Sequence, residues 1–388
     1  MLTERFQAEL HWVYGRLFEV IPTSYLEVRM EERDEATAAS VKHVRIRGLS
    51  FTTPEKIPSS PEISSFKGLR LGPMGEGLGG AVVAERLVYP DTLRRLTSDD
   101  RFFKGFIRRI AGEVSGDEDL LIVYLCFKGG ASVEDELQLR TLLDLQFLAG
   151  ADLITVQQLY GSSWREFRSS LSYAEGWRVE RGVEAPLMPV LNMDDLDGLA
   201  DGIRELKDKG YRALGLDLRG SFPYMALRAL EGLSGFLEDV WVHGFQTPPK
   251  VRLGRGFHAC AEGMILPSFG VDTFSRWITP PPPEPLTKDK INVFDRLGWG
   301  FMKRGEWVKY RGSSMGCDCT VCKGGDLDSF FEGAVMAALR RGKVHDHLAQ
   351  SSELRSVRES VKGDGFHKLL REKEFPKRLL SHLERHPG

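Results

Sequence analysis

"LLIVYLCFKGGASVEDELQLRTLLDLQFLAGADLITVQQL", residues 120 to 159, places an apolar run, an amphipathic stretch and a second apolar run end to end. The first eight residues show no polar alternation, the pattern of a strand covered on both faces. Ser132, with acids in the turn that follows, suits a helix N-cap. Leu137, Leu139, Leu142, Leu143 and Leu145 supply an apolar face, and Gly150 supplies the stop. Residues 152–159 then read as the next strand, so the whole is a strand–helix–strand unit with its strands parallel.

The rhythm continues through "APLMPVLN" (185–192), "RALGLDL" (212–218), "DVWVHGF" (239–245) and "GVDTFS" (270–275). Successive runs start about 25 to 35 residues apart, the length of a strand, a helix and two short loops. Between them, "DDLDGLADGIRELKDKG" (194–210) repeats the helical pattern: Asp194 or Asp195 as cap, Leu196, Leu199, Ile203 and Leu206 on one face, Gly210 at the end. Such alternation predicts an α/β fold, either a closed (β/α)8 TIM barrel or an open doubly wound sheet. No GxGxxG follows the first clear strand, which weighs against a dinucleotide-binding sheet.

The first hundred residues are less regular. "SYLEVRM" (24–30) and "VKHVRIRGLSF" (41–51) alternate as strands, and "GLRLGPMGEGLGGAVVAERL" (68–87) reads as a glycine-rich loop leading into a strand or helix. Early strands are expected here without fixed positions. The "PPPPEP" run at 280–285 cannot continue a helix or a central strand, and marks a connection to the cysteine-rich region.

With 388 residues and 41% hydrophobic content, the chain can bury one large core, or a core with an appendage. No apolar run has membrane-spanning length, and "MLTERFQAELHWVYGRLFEV" carries acids where a secretory signal is basic, so a soluble, cytoplasmic protein is expected. The net charge of -2 gives no electrostatic signature of a nucleic-acid binder. Residues 301–388 nevertheless carry about five more basic than acidic side chains, concentrated in "FHKLLREKEFPKRLLSHLERH". A run like this serves as a solvated helical face or as a phosphate-contacting surface.

Three of the five cysteines, Cys317, Cys319 and Cys322, lie in "GCDCTVCKGG" (316–325). A disulfide framework does not fit so few cysteines in so long a chain, and metal ligation does. Cys126 and Cys260, each alone in apolar surroundings, are expected in the core. A structural zinc takes four tetrahedral ligands, and "KVHDHLAQ" (343–350) offers His345 and His347 for the fourth place.

CxCxxC followed by a distant histidine resembles the zinc signature of the tRNA-guanine transglycosylase superfamily, whose members are irregular (β/α)8 barrels with a zinc subdomain near the C-terminal end. In that family the ligand histidine directly precedes a leucine, which points to His347. "LLDLQFLAGADLITVQQL" (142–159) resembles the family's "GADI" helix and strand, and "GVDTFSRW" (270–277) resembles its "GxDxFD" catalytic strand. The likeness covers roughly residues 130 to 350 and implies an irregular barrel over 1–300 with an embedded zinc-binding subdomain and basic helical C-terminus over 301–388. There are departures. Ser275 replaces the second acid of "GxDxFD", Gln157 and Gln158 stand where an acid reads the base, the "DSGGFQ" segment with the general base has no counterpart in residues 1–120, and no RNA-binding module follows the zinc region. These point to a divergent branch, similar to the one that inserts 7-deazaguanines into DNA.

Catalytic side chains of a barrel stand at the C-terminal ends of its strands, which selects Gln157, Gln158, Asn192, Asp217, His243 and Asp272. Base exchange at an N-glycosidic bond needs a carboxylate at C1′ and a proton shuttle for the leaving base. Asp272 is the expected nucleophile because it is the acid on the strand resembling the catalytic one, with Asp295 in "NVFDRLGWGF" (292–301) as alternative. Asp217 is also placed to form a rim ion pair with Arg219, and His243 to be a satisfied core histidine. Gln157 and Gln158 point to opposite faces, so at most one enters a pocket, where its amide would suit a guanine-like edge. Phe245, Phe274 and Trp277 are candidates to stack on a base. The expected function is replacement of guanine in a nucleic acid, DNA before tRNA, by a 7-deazaguanine such as a 7-cyano derivative. The alternative is a non-catalytic zinc-containing nucleic-acid-binding subunit, with a homodimer or partner chain completing the site. An unrelated zinc-ribbon barrel acting on a small nucleoside is a third reading.

Overall fold

The computed structural model describes residues 25–69, 80–114, 119–193, 198–251, 260–278 and 285–385. The expected caps at Asp194 or Asp195, Leu196, most of the glycine-rich loop and the prolines at 280–283 lie outside them. An N-terminal antiparallel sheet comes first: β1 (Leu26–Arg33), β2 (Ser40–Ile46) and β3 (Leu49–Thr52). Strands and helices then alternate. They are β4 (Glu55–Lys56), α1 (Ser60–Gly68), β5 (Ala81–Val88), α2 (Pro90–Ser98), α3 (Asp100–Ala111), β6 (Leu120–Phe127), α4 (Glu136–Leu148) and β7 (Ile154–Gln157). Next follow α5 (Trp164–Arg181), β8 (Leu187–Asn192), α6 (Leu199–Asp208), β9 (Ala213–Asp217), α7 (Tyr224–Glu231), β10 (Trp241–Thr247) and β11 (Thr273–Arg276). A hairpin of β12 (Asn292–Asp295) and β13 (Gly300–Lys303) leads into α8 (Arg304–Arg311), α9 (Leu327–Phe330), the long α10 (Val335–Lys362), α11 (Phe366–Glu372) and α12 (Glu374–Arg385).

Six strands form one parallel sheet in the order β4-β11-β10-β9-β8-β7, and β5 and β6 form a parallel pair. Single parallel bridges, Ser59 to Val83 and Ile122 to Leu153, link the pair to the two ends of that sheet. The fold is therefore mixed α/β with parallel strands, as the alternation predicts. Helix ends follow local chemistry. In α4 the cap is Asp135, three residues past Ser132, with its carboxylate accepting from Gln138 N–H. Gly150 then adopts φ 81°, a conformation open to glycine without steric cost. In α5, Ser163 and Glu166 form a capping box.

The strands bury different clusters on their two faces. One face gathers Val83, Ile122, Leu153, Met188, Val190, Ala213, Trp241 and Phe245, closed off at one end by Val44, Ile46 and Phe51 of the β1–β3 sheet. The other face packs residues such as Ile154, Val156, Leu214 and Leu216 against the helices. Tyr124 of β6 stacks on Phe245 of β10 at 4.4 Å between ring centroids, although three strands lie between them in the sheet. Fully burying side chains of this size contributes about 1.5–3 kcal/mol each. Among the described residues, no helix is long and apolar enough to cross a membrane.

One buried acid runs against this pattern. Glu262, in a 3-10 turn after β10, is fully buried, and neither carboxylate oxygen has a hydrogen-bond partner among the described residues. Burial pushes its pKa well above 4.5. The native state then holds this proton more tightly than the unfolded chain, so stability is lost as pH rises past about 4.5 toward the folded value. Glu262→Gln is expected to flatten that loss, giving a shallower decline of Tm with pH than the wild type; parallel declines would show that Glu262 does not titrate on unfolding.

Candidate active site and metal centre

The cysteine loop between α8 and α9 is wound by its own backbone. Cys322 N–H and Lys323 N–H both donate to Cys319 O, and Gly324 N–H donates to Cys317 O. The turn brings the three sulfurs together, and His345 of α10 completes the group: one ligand atom from each of Cys317, Cys319, Cys322 and His345 lies within 4.8 Å of every other. Nδ1 of His345 stands 3.2 Å from Cys322 Sγ and 3.6 Å from Cys319 Sγ. A tetrahedral zinc site has sulfur-to-nitrogen edges of about 3.5 Å, so the donor set fits such an ion in both chemistry and spacing. Nε2 of His345 hydrogen-bonds the Phe294 carbonyl at 2.8 Å, which fixes the tautomer and leaves Nδ1 as the coordinating atom. Hydrogen bonds with the Cys319 and Cys322 thiols hold Cys317 well below the ordinary thiol range.

The fourth member of the cluster is thus His345, where His347 was expected. Two residues apart on a helix differ by about 200°, so one metal cannot take both. His347 turns away and meets the Phe66 ring edge-on, with ring centroids 5.8 Å apart. Asp346 between them takes a third direction, accepting from Phe294 N–H at 3.0 Å and pairing with Arg276 at 3.0 Å. Three consecutive residues of α10 therefore reach the cysteine loop, the β12–β13 hairpin with β11, and α1.

A second polar cluster sits toward the C-terminal ends of the parallel strands. Glu85 (β5) is 1% exposed and accepts from Ser275 Oγ (β11) at 3.1 Å. Ser275 also lies 3.3 Å from Nε2 of His243 (β10), whose Nδ1 is 2.8 Å from Thr273 Oγ1. Tyr124 donates its phenol proton to Asp217 (β9), and Arg219 meets the same carboxylate through its backbone N–H at 3.1 Å and its Nε at 3.5 Å. Gln246 reaches toward Glu85 out of hydrogen-bonding geometry. It is buried at φ 56°, a conformation rare for a side chain of this type, and neither amide atom has a hydrogen-bond partner among the described residues. Strain and unmet polar atoms thus gather at one place, both costly in a protein interior.

Burial raises Glu85 well above the carboxylate range; the Ser275 hydrogen bond opposes this and the Glu62 charge adds to it. Burial also raises Asp217, but there the Tyr124 hydrogen bond and the Arg219 charge pull the other way. Burial alone holds His243 down at about 3, so its ring is neutral. Two acids in one desolvated site do not both ionise readily. Donors from Tyr124 and Arg219 offset part of the rise at Asp217, whereas Glu85 is raised further.

No family model matches the chain, and no curated protein matches it.

Several sequence-selected residues take other places. Asp272 stands before β11, at its amino end: its carboxylate pairs with Lys42 at 2.9 Å, accepts from Val242 N–H at 2.7 Å, and is 3% exposed. The expected nucleophile thus faces the clamp made by the N-terminal sheet. Asp295, the alternative, also has structural partners. It closes the β12–β13 turn by accepting from Leu297 and Gly298 N–H, and Arg311 grips it at 2.7 Å. Gln158 accepts from Asn192 N–H at 3.2 Å, tying the ends of β7 and β8 together, while half-buried Gln157 shares the strand face of Leu153. Of the aromatics, Phe274 packs outward near Gly263, Phe245 stacks on Tyr124, and Trp277 lies against Gly220 at the strand ends. Glu85 and Tyr124 were not among the sequence candidates.

Proposed function

We propose that the eight parallel strands close into a (β/α)8 barrel, that the Cys3His cluster holds a structural zinc, and that the protein is a base-exchange glycosyltransferase. It would replace guanine in a nucleic acid, DNA before tRNA, by a 7-deazaguanine. Closure is supported by the two bridges that join β5 and β6 to both ends of the six-stranded sheet, and by the Tyr124–Phe245 stack across its interior. A complete protein ligand shell makes the zinc a brace, with no open position for chemistry. The reaction class itself comes from the cysteine-pattern resemblance.

The observation that carries the catalytic reading is the acid pair of Glu85, within β5, and Asp217, at the end of β9, with Glu85 raised the further of the two. Asp217, held by Tyr124 and Arg219, is the carboxylate for C1′, and neutral Glu85 is the acid for the leaving base. Gln246 offers an unspent amide to a purine edge. Tyr160, 73% exposed with the Arg219 guanidinium 4.5 Å from its ring centroid, offers a stacking surface at the same rim. The target base has to leave a duplex to reach such a site.

The test is incorporation of a labelled 7-deazaguanine into double-stranded DNA and tRNA, side by side. Wild type is expected to label one polymer, and Glu85→Gln and Asp217→Asn to lose about 10²–10⁴-fold in rate. Undiminished labelling by both variants removes the acid pair from the mechanism. Ser275, in the position where the resemblance calls for an acid, favours a second reading as a non-catalytic binding subunit. Salt-sensitive polymer binding with no label in any sample would establish that reading instead.

A further inference from the structure

Ser275 is the residue at which the chain departs most clearly from the pattern it resembles, and its surroundings give it a role. Trp241 Nε1 can only donate, and it donates to Thr273 Oγ1 at 2.7 Å. Thr273 is left with one proton, and among the described residues the acceptor it meets is Nδ1 of His243, at 2.8 Å. A neutral imidazole accepting at Nδ1 carries its proton on Nε2, which faces Ser275 Oγ at 3.3 Å. Ser275, now receiving a donor, gives its own proton to Glu85 Oε1 at 3.1 Å. All five residues are buried, four of them at 0% exposure. The other carboxylate oxygen, Oε2, has no hydrogen-bond partner among the described residues.

We propose that Trp241, Thr273, His243 and Ser275 form a one-way hydrogen-bond chain that fixes the Glu85 carboxyl and leaves its acid proton on Oε2, making Ser275 a positioning residue for that acid. The chain rests on the reading of Glu85 as the acid only for its purpose; its existence is a property of the hydrogen bonds. With Oε1 occupied as an acceptor, a neutral Glu85 has one oxygen left to carry its proton. The titratable groups near that carboxyl are Asp217 on β9, Tyr124 and Cys126 on β6, Glu62 on α1 and His243 on β10, and the polar side chains are Gln246 on β10 and Ser275 on β11. None of them donates to Oε2 in hydrogen-bond geometry, although the Gln246 amide is near enough to favour the ionised carboxyl. A carboxylate in place of Ser275 would set two acids side by side in this spot, whereas a hydroxyl turns the strand end into a donor that orients one.

The experiment is infrared spectroscopy of the full-length protein without substrate, with the Glu85 carbonyl stretch assigned by its loss in Glu85→Gln. Ser275→Ala is expected to move the stretch to higher frequency, because Oε1 loses its donor. Thr273→Val is expected to do the same from three hydrogen bonds away. It frees the imidazole to carry its proton on Nδ1, whereupon Ser275 donates to Nε2 instead of Glu85. Thr273→Ser keeps the hydroxyl and is expected to leave the stretch in place; Thr273→Ala substitutes for Thr273→Val if the latter does not fold. A stretch unmoved by Ser275→Ala, or moved by Ser275→Ala but not by loss of the Thr273 hydroxyl, overturns the chain. No turnover is needed, so failure of the labelling assay would refute the proposed reaction and leave this result standing.

Discussion

Cys319→Ser protein is expected to lose its zinc and, with it, the ordered cysteine loop, with one metal per chain in the wild type and none in the variant. The physical case rests on how little else holds that loop. Of residues 311–326, only Met315, Cys317 and Cys322 are buried, two of them ligands themselves. Metal binding in small structural sites is worth on the order of 10 kcal/mol, comparable to the whole stability of a domain. A few turn hydrogen bonds of about 1 kcal/mol each do not replace it. The remainder of α10 has independent anchors: Asp346 on Arg276 at 3.0 Å, and Arg358 on Glu55 at 3.0 Å. The expected damage is therefore local, with amide exchange of Cys322, Lys323 and Gly324 becoming fast while the sheet stays protected. His345→Ala is expected to behave like Cys319→Ser, and His347→Ala to keep its metal. Retention of metal by His345→Ala and loss by His347→Ala would reverse the ligand assignment.

That contrast shows where the sequence was legible and where it was not. The strands from 120 to 276 announce themselves because both of their faces are covered, which forces continuous apolar runs; β6 has the bounds of its run, Leu120–Phe127. The early strands do not. β4 is only Glu55 and Lys56, both buried, yet they are ion-paired to Arg358 and Glu62, so a strand of the sheet reads as a polar turn. β5 follows a glycine-rich stretch and contains Glu85 and Arg86, which hide its apolar pattern. Glu85 was missed for the same reason, although an acid inside "AVVAERLV" is itself a signal, since a buried carboxylate is costly unless it has a task. The three thiols could be read from spacing because a loop brings near neighbours together. The histidine could not, because His345 and His347 differ only in helical phase. Asp272 turned on register: the run "GVDTFS" enters the strand at Thr273, so its acid sits at the amino end of β11.

Asp272→Ala is accordingly expected to destabilise the protein by about 3–5 kcal/mol, the cost of leaving a buried charge without its partner. Lys42, 3% exposed, spends its three donors on Leu237 O at 3.0 Å, Val240 O at 2.7 Å and Asp272 Oδ2 at 2.9 Å. This clamps β2 of the N-terminal sheet to the loop before β10 and to the start of β11. Removing the carboxylate also orphans Val242 N–H, which donates to it at 2.7 Å. Replacing both partners by apolar residues, Lys42→Met with Asp272→Leu, removes the uncompensated charge, so the double variant is expected to be more stable than Asp272→Ala alone. The difference is read as the coupling in a double-mutant cycle by denaturant unfolding. The same variant separates structure from chemistry. A covalent nucleophile cannot be lost without losing turnover, whereas a clamp residue reduces the amount of folded protein and leaves the rate per folded molecule nearly unchanged. Labelling by Asp272→Asn, normalised to folded protein, is thus expected to stay close to wild type. Its complete loss in folded protein would return Asp272 to the reaction and the amino end of β11 to the site.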